Sequence, residues 1–132
     1  MSRERILVVD DEDCVREILC FMLEPTGYQC TPASSGSEAL AKLGSGGEFD
    51  LLLSDLMMPG LNGLELLERA SQTFPHMPAL LVTAADRTSG LDAVESKGCN
   101  YLLKPFSRKQ LLEAVRRSLK DDCGHKIGQA TP

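Results

Sequence analysis

Two hydrophobic periodicities take turns along this chain, and that alternation limits its folds more than any other feature. Short apolar runs of strand length lie at Ile6 to Val9, at Leu51 to Leu53 with an expected start at Phe49, at Ala79 to Val82 and at Tyr101 to Leu103, with a weaker β-like stretch at Tyr28 to Thr31. Runs this continuous predict strands covered on both faces. Between them, Val15, Ile18, Leu19, Met22 and Leu23 follow a helical stripe, and Leu111, Leu112, Val115 and Leu119 repeat it near the end. Both stripes are expected to pack on a sheet. Ser35 to Glu38, Asn62 to Glu65 and Ser107 to Gln110 each place a small polar acceptor three residues before Glu or Gln. These are capping-box spacings, and they predict starts for the second, third and fifth helices. The fourth helix, roughly Arg87 to Lys97, has only Leu91 and Val94 as large apolar residues, so weak burial predicts mobility there.

Five strands alternating with five helices imply parallel βαβ units with right-handed crossovers, hence an open, doubly wound α/β sheet with helices on both faces. A length of 132 residues, 42% of them hydrophobic, suits one core and is too short for two ordinary domains. Residues 1–120 are read as that domain, and 121–132, polar and without periodicity, as a frayed tail or cut linker. A net charge of −5 argues against direct nucleic-acid binding, which needs clustered Lys and Arg. No apolar run reaches the roughly 18 residues of a membrane span, and no signal-peptide pattern opens the chain, so a soluble, cytoplasmic protein is expected. Cys14, Cys20, Cys30, Cys99 and Cys123 show no C-x-x-C or metal-finger spacing and are read as reduced thiols. The first four, in or beside apolar segments, are expected to be small buried hydrophobes. Cys123, in the polar tail, is the candidate for reactivity.

Ligands of open α/β sheets sit outside the carboxyl ends of the strands, where strand order reverses. That rule turns scattered polar residues into one constellation: Asp10 and Asp11 at the end of the first strand, Asp55 of the third, Thr83 of the fourth and Lys104 of the fifth. Taken singly, each has a plain reading, as a helix-starting turn, a loop acid, a strand-end Thr or a surface Lys. Taken together they form an acid pair, an acid, a hydroxyl and an amine converging on one edge. Three neighbouring carboxylates repel strongly unless a cation lies among them, and an oxygen-only donor set suits a hard ion such as magnesium. Lys104 adds a positive charge and Thr83 a hydroxyl donor. The set fits phosphoryl transfer, with one carboxylate as nucleophile.

Over roughly residues 4 to 120 the chain resembles the response-regulator receiver family of two-component signalling. Ile6 to Glu12 looks like that family's first strand and acidic pair, and Phe49 to Gly60 like its phosphoacceptor segment, followed by Asn62-Gly63-Leu64-Glu65-Leu66. Leu81 to Ala84 resembles the hydroxyl-bearing strand, and Gly98 to Phe106 ends in Lys-Pro-Phe. The resemblance implies a flavodoxin-like (βα)5 fold with strand order 2-1-3-4-5. It implies a phosphorylation-dependent switch that takes a phosphoryl group on Asp55 from a histidine kinase or histidine phosphotransfer protein. Magnesium, or manganese in its place, would be held by Asp11, Asp55, the Met57 backbone carbonyl and, through water, Asp10. Thr83 and Lys104 would hold phosphoryl oxygens, and a cis peptide between Lys104 and Pro105 is implied. Gly60 and Gly63 suit tight turns around the site.

Phosphorylation adds about −1.5 to −2 charge beside Thr83. Movement of that hydroxyl would vacate space for Tyr101, which matches the family's switch aromatic. The altered surface would comprise the fourth helix, fifth strand and fifth helix, the α4-β5-α5 face, read by a downstream protein or used for dimerisation. Met57 and Ala85, each two residues past a site residue, are apolar and cannot hydrogen-bond an attacking water, so slow self-dephosphorylation is expected. Such a protein would catalyse its own phosphorylation and dephosphorylation rather than turn over a substrate. Two rivals share parts of the pattern. A flavodoxin-like cofactor-binding module needs Gly or hydroxyl residues in the first βα turn, where this chain has Asp10 to Asp13. A magnesium-dependent aspartyl phosphotransferase or phosphatase carries its nucleophile on the first strand, and Asp55 is on the third. Too few residues follow the fifth helix for an output domain, so either a stand-alone receiver acting by protein contact or a cut from a longer regulator or kinase is expected, and the residues name neither kinase nor stimulus.

Overall fold

The computed structural model describes residues 3–84 and 91–120. Five parallel strands, β1 (Arg5–Val9), β2 (Gln29–Ala33), β3 (Leu51–Asp55), β4 (Ala79–Ala84) and β5 (Asn100–Lys104), form one sheet in the order β2-β1-β3-β4-β5. Helices α1 (Asp13–Leu23), α2 (Gly36–Gly44), α3 (Gly63–Thr73), α4 (Leu91–Ser96) and α5 (Arg108–Lys120) connect or follow them, and a single 3₁₀ turn, Glu24–Thr26, ends α1. This is the doubly wound, flavodoxin-like arrangement.

The two-residue period of the strands divides the core. Leu7, Val9, Leu52 and Leu81 point to one side, where they pack with Ala39 and Leu43 of α2, Leu66 and Ala70 of α3 and Val94 of α4. Ile6, Val8, Leu51, Leu53, Leu80 and Val82 point to the other, against Leu19 and Leu23 of α1 and Leu111, Ala114 and Val115 of α5. Both faces of the central strands are therefore dry, which is why those strands read as unbroken apolar runs. The edge strand β2 carries Pro32, opposite Val8. An edge position tolerates Pro because one side of the strand needs no ladder donor.

Several expectations need correction. Phe49 lies before β3, not in it: the backbones pair through Asp50 N–H to Arg5 O, 2.7 Å, while the Asp50 carboxylate accepts the Arg5 N–H at 2.8 Å. That side-chain bond fixes the strand's entry, and the Arg5 guanidinium lies over the Phe49 ring. Ile18, placed on the packing stripe of α1, is 52% exposed. The helix buries a narrower line through Leu19 and Leu23, and Ile18 is rotated about 100° from Leu19. Cys14 is exposed and Cys20 and Cys30 are half-buried; only Cys99 among the described cysteines is buried.

The caps at Asn62/Glu65 and Ser107/Gln110 are reciprocal, each side chain accepting from the other residue's backbone N–H. At α2, Ser35 Oγ accepts from Glu38 N–H, but the Glu38 carboxylate turns to the N–H and hydroxyl of Ser34. Arg108, at the start of α5, donates to the Met22 carbonyl and the Thr26 hydroxyl, closing the carboxyl end of α1. Val94 is fully buried and anchors α4 to the core. The expected start of α4 at Arg87, Ala85, Cys123 and the tail 121–132 lie outside the described residues.

Candidate functional site

The carboxyl ends of β1, β3, β4 and β5 meet at one edge of the sheet. Asp10 follows the last residue of β1, Asp55 ends β3, Thr83 is the penultimate residue of β4 and Lys104 ends β5. One carboxylate oxygen each from Asp10, Asp11 and Asp55 lies within 4.8 Å of the others. Lys104 Nζ stands 3.3 Å from Asp55 Oδ1. The structure thus brings together four of the five residues read from the sequence by direct proximity. The fifth, Thr83, is buried one residue past Val82, the register partner of Asp55, and its hydroxyl donates to the Ala84 carbonyl.

Local bonds orient these groups. Asp10, 2% exposed, accepts the Glu12 N–H on Oδ1, and its backbone carbonyl is held by Arg16 Nη1 at 2.7 Å. Arg16 also pairs with Asp13, so the guanidinium ties the first turn of α1 to the loop that carries the acidic pair. Under Asp55, the buried Ser54 hydroxyl donates to the Asp55 carbonyl at 2.9 Å. Leu56 continues the strand's direction by donating to Val82 O, and its own carbonyl accepts the Gly63 N–H. A Cβ on Gly63 would fall 2.4 Å from the Asp55 carbonyl oxygen, so only Gly lets α3 start against the end of β3. Gly60 takes a φ of 75°, the left-handed region that the intervening turn requires. The peptide joining Lys104 to Pro105 is cis.

The electrostatics favour a cation. Burial is the largest cause holding the Asp55 carboxyl above its ordinary value; Lys104 opposes it, and the charges of Asp10 and Asp11 add to it. Asp10 is also raised, first by burial, with the Glu12 N–H bond and Lys104 opposing. Two acids strained toward neutrality beside a third are relieved by a positive ion, and an all-oxygen set fits a hard divalent metal. The Met57 side chain is 54% exposed and sits beside this cluster in sequence. Tyr101, half-buried on β5, donates its hydroxyl to Glu95 of α4 at 2.9 Å.

Sequence reasoning missed Arg16 and Ser54. Both act on backbone carbonyls, and no residue spacing announces such a bond. It also missed Glu95, whose pairing with Tyr101 depends on how α4 lies over β5.

Comparisons with known proteins agree with this geometry. A family profile described as "Response regulator receiver domain" matches residues 6–116. The chain is 38% identical over 127 residues to YkoG of Bacillus subtilis, named as an uncharacterized transcriptional regulatory protein, covering 92% of this chain and 54% of that one. It is 42% identical over 120 residues to the response regulator MprA of Mycobacterium avium, covering 88% and 51%. It therefore spans about half the length of these relatives. Among solved structures, the response regulator TrrA of Thermotoga maritima in complex with Mg2+-BeF superposes with a TM-score of 0.77 at 36% identity, over 86% of this chain and 97% of that one. With the profile spanning both cores and the whole strand-end cluster, this chain belongs to the response regulator receiver domain family.

Proposed function

We propose that this domain is a phosphorylation-dependent switch in which Asp55 accepts a phosphoryl group from the phosphohistidine of a histidine kinase or histidine phosphotransfer protein. The observation that carries the reading is the position of Asp55, its carboxylate between two acids within 4.8 Å and an ammonium at 3.3 Å. An Asp55 Oδ attacks phosphorus, the phosphorus–nitrogen bond breaks, and the imidazole leaves with the electron pair. Lys104 shifts from the Asp55 carboxylate to the transferred oxygens, and the Thr83 hydroxyl donates to another. Arg16 and the Glu12 N–H keep Asp10 pointed into the cluster. Asp11, Asp55, the Met57 carbonyl and, through water, Asp10 would hold magnesium or manganese. Bound there, the ion neutralises the carboxylates and the incoming phosphoryl oxygens. TrrA crystallised with Mg2+-BeF supports this assignment by similarity.

Readout runs through Thr83 and Tyr101. Drawing the Thr83 hydroxyl toward a phosphoryl group trades its bond to Ala84 O, and Tyr101 exchanges its Glu95 contact for a more buried position. The α4-β5-α5 face then changes between two populations, for a downstream protein or a second copy of the chain to read. The relatives are about twice as long, so an attached output region is one route for that signal.

The test is to incubate the protein with magnesium and acetyl phosphate and weigh it intact. One phosphoryl adduct is expected, absent with a chelator; no adduct, or one indifferent to metal, would overturn the reading. Sustained phosphate release far beyond the protein concentration would favour a phosphatase instead. The exposed Met57 side chain cannot orient a water, so Met57→Asn is expected to speed acyl-phosphate decay by about tenfold, followed by loss of the adduct with time. Unchanged or slower decay would assign Met57 no kinetic role.

A further inference from the structure

Away from the strand-end cluster, α1 and the edge strand β2 bring two sulfurs together. Cys20, one turn from the end of α1, and Cys30, opposite Ile6 in β2, are both half-buried on the α1 side of the sheet. They line one open groove with Arg16, Glu17, Glu24 and Pro32, and each thiol shifts the other's ionisation. From their shared, solvent-open groove between α1 and β2, we infer that Cys20 and Cys30 are a redox-active dithiol that hydrogen peroxide converts into a disulfide joining α1 to β2.

The two thiols are not equivalent. Cys20 is lowered from the ordinary thiol value chiefly by the bond from Cys30, with Arg16 assisting and burial and Glu24 opposing. Cys30 is raised, first by that same bond and then by burial. Cys20 also lies one turn past Arg16 on α1, and that neighbouring cation makes Cys20 the sulfur that becomes a thiolate. The order of steps follows. Cys20 Sγ attacks one oxygen of the peroxide, the oxygen–oxygen bond breaks, and hydroxide leaves to become water, which gives a sulfenic acid on Cys20. Cys30 Sγ then attacks that sulfur, the sulfur–oxygen bond breaks, and hydroxide departs with the Cys30 proton as a second water. Two thiols are oxidised and one peroxide is reduced. Other described cysteines lack this arrangement, since Cys14 is exposed on a different groove and Cys99 is buried behind α4.

The bond would close a short loop around the 3₁₀ turn and the start of β2, pinning the edge strand to α1 and leaving the Asp55 cluster untouched. The experiment treats the reduced full chain with a small excess of hydrogen peroxide, blocks remaining thiols and maps peptides without reduction. A linked Cys20–Cys30 pair is expected, with blockable thiols falling from five to three. Tm should rise by about 5 °C in the oxidised protein and return on reduction. Cys30→Ser should trap a sulfenic acid at Cys20, detected with a dimedone probe. Cys20→Ser should label at residue 30 about tenfold more slowly, and Cys14→Ser should leave the linked pair intact. Accumulation of sulfinic acid at Cys20 without linkage would overturn the inference, as would dimers joined through Cys14 as the main product. Acetyl-phosphate labelling, measured alongside, is expected to be unchanged, so the dithiol and the phosphoacceptor readings fail or stand separately.

Discussion

Asp55→Asn is expected to abolish the phosphoryl adduct from acetyl phosphate while raising the Tm of the metal-free protein. The first effect follows from chemistry: an amide offers no anionic oxygen to phosphorus and cannot form an acyl phosphate. The second follows from the competition around the carboxylate. Burial and the charges of Asp10 and Asp11 disfavour the Asp55 anion, and the Lys104 ammonium at 3.3 Å only partly offsets them, which leaves the carboxyl raised. An uncharged isostere escapes that net penalty. Magnesium should invert the comparison. Wild type gains stability by mass action, about 2.7 kcal/mol at a hundredfold excess over Kd, whereas the variant has lost a ligand and gains less. A lower Tm for metal-free Asp55→Asn would mean that the Lys104 pair outweighs burial and repulsion. A persistent adduct would put the acceptor elsewhere.

That competition was visible in the sequence only as a cluster of strand ends. The convergence of Asp10, Asp11, Asp55 and Lys104 could be read because parallel α/β sheets present all their carboxyl ends at one edge, so locating the strands located the site. Locating the strands was easy where both faces are dry. Ile6 to Val9, Leu51 to Leu53 and Ala79 to Val82 are all buried and all apolar. The edge strand β2 reads weakly because solvent meets Gln29 and Pro32, and the apolar run starts ahead of β3 because Phe49 is apolar yet packs under Arg5 outside the ladder. What the sequence did not disclose were contacts made by approach of separate elements. Arg16 finds a carbonyl six residues back, and Cys20 finds Cys30 across the 3₁₀ turn, a spacing of no motif. Ile18 and Cys14 are exposed for a related reason: hydrophobic residues on a helix need not all face the sheet when the buried line is narrow.

Gly63→Ala is expected to lower stability by about 3 kcal/mol, whereas Gly44→Ala raises it by up to about 1 kcal/mol. Both glycines belong to helices, where Ala is intrinsically favoured over Gly by about 1 kcal/mol, so helix propensity alone predicts the same sign for both. Their surroundings separate them. A Cβ at Gly44 meets nothing within 4 Å. At Gly63 it would lie 2.4 Å from the Asp55 carbonyl oxygen, 2.9 Å from Leu56 Cα and 3.1 Å from the Asp55 carbonyl carbon, all backbone atoms that cannot turn aside as a side chain could. Relief requires the amino end of α3 to retreat from β3. That movement weakens the Gly63 N–H bond to Leu56 O and displaces the segment that aims Asp55, so overpacking of about 1–3 kcal/mol is joined by about 1 kcal/mol of lost hydrogen bonding. Because the displaced atoms include those of the phosphoacceptor, the rate of labelling by acetyl phosphate should also fall by about tenfold under conditions where the variant remains folded. Urea midpoints at constant m, with labelling rates measured below the transition, provide both readings. If Gly63→Ala and Gly44→Ala shift the midpoint in the same direction, propensity rather than the close approach of α3 to Asp55 governs this turn.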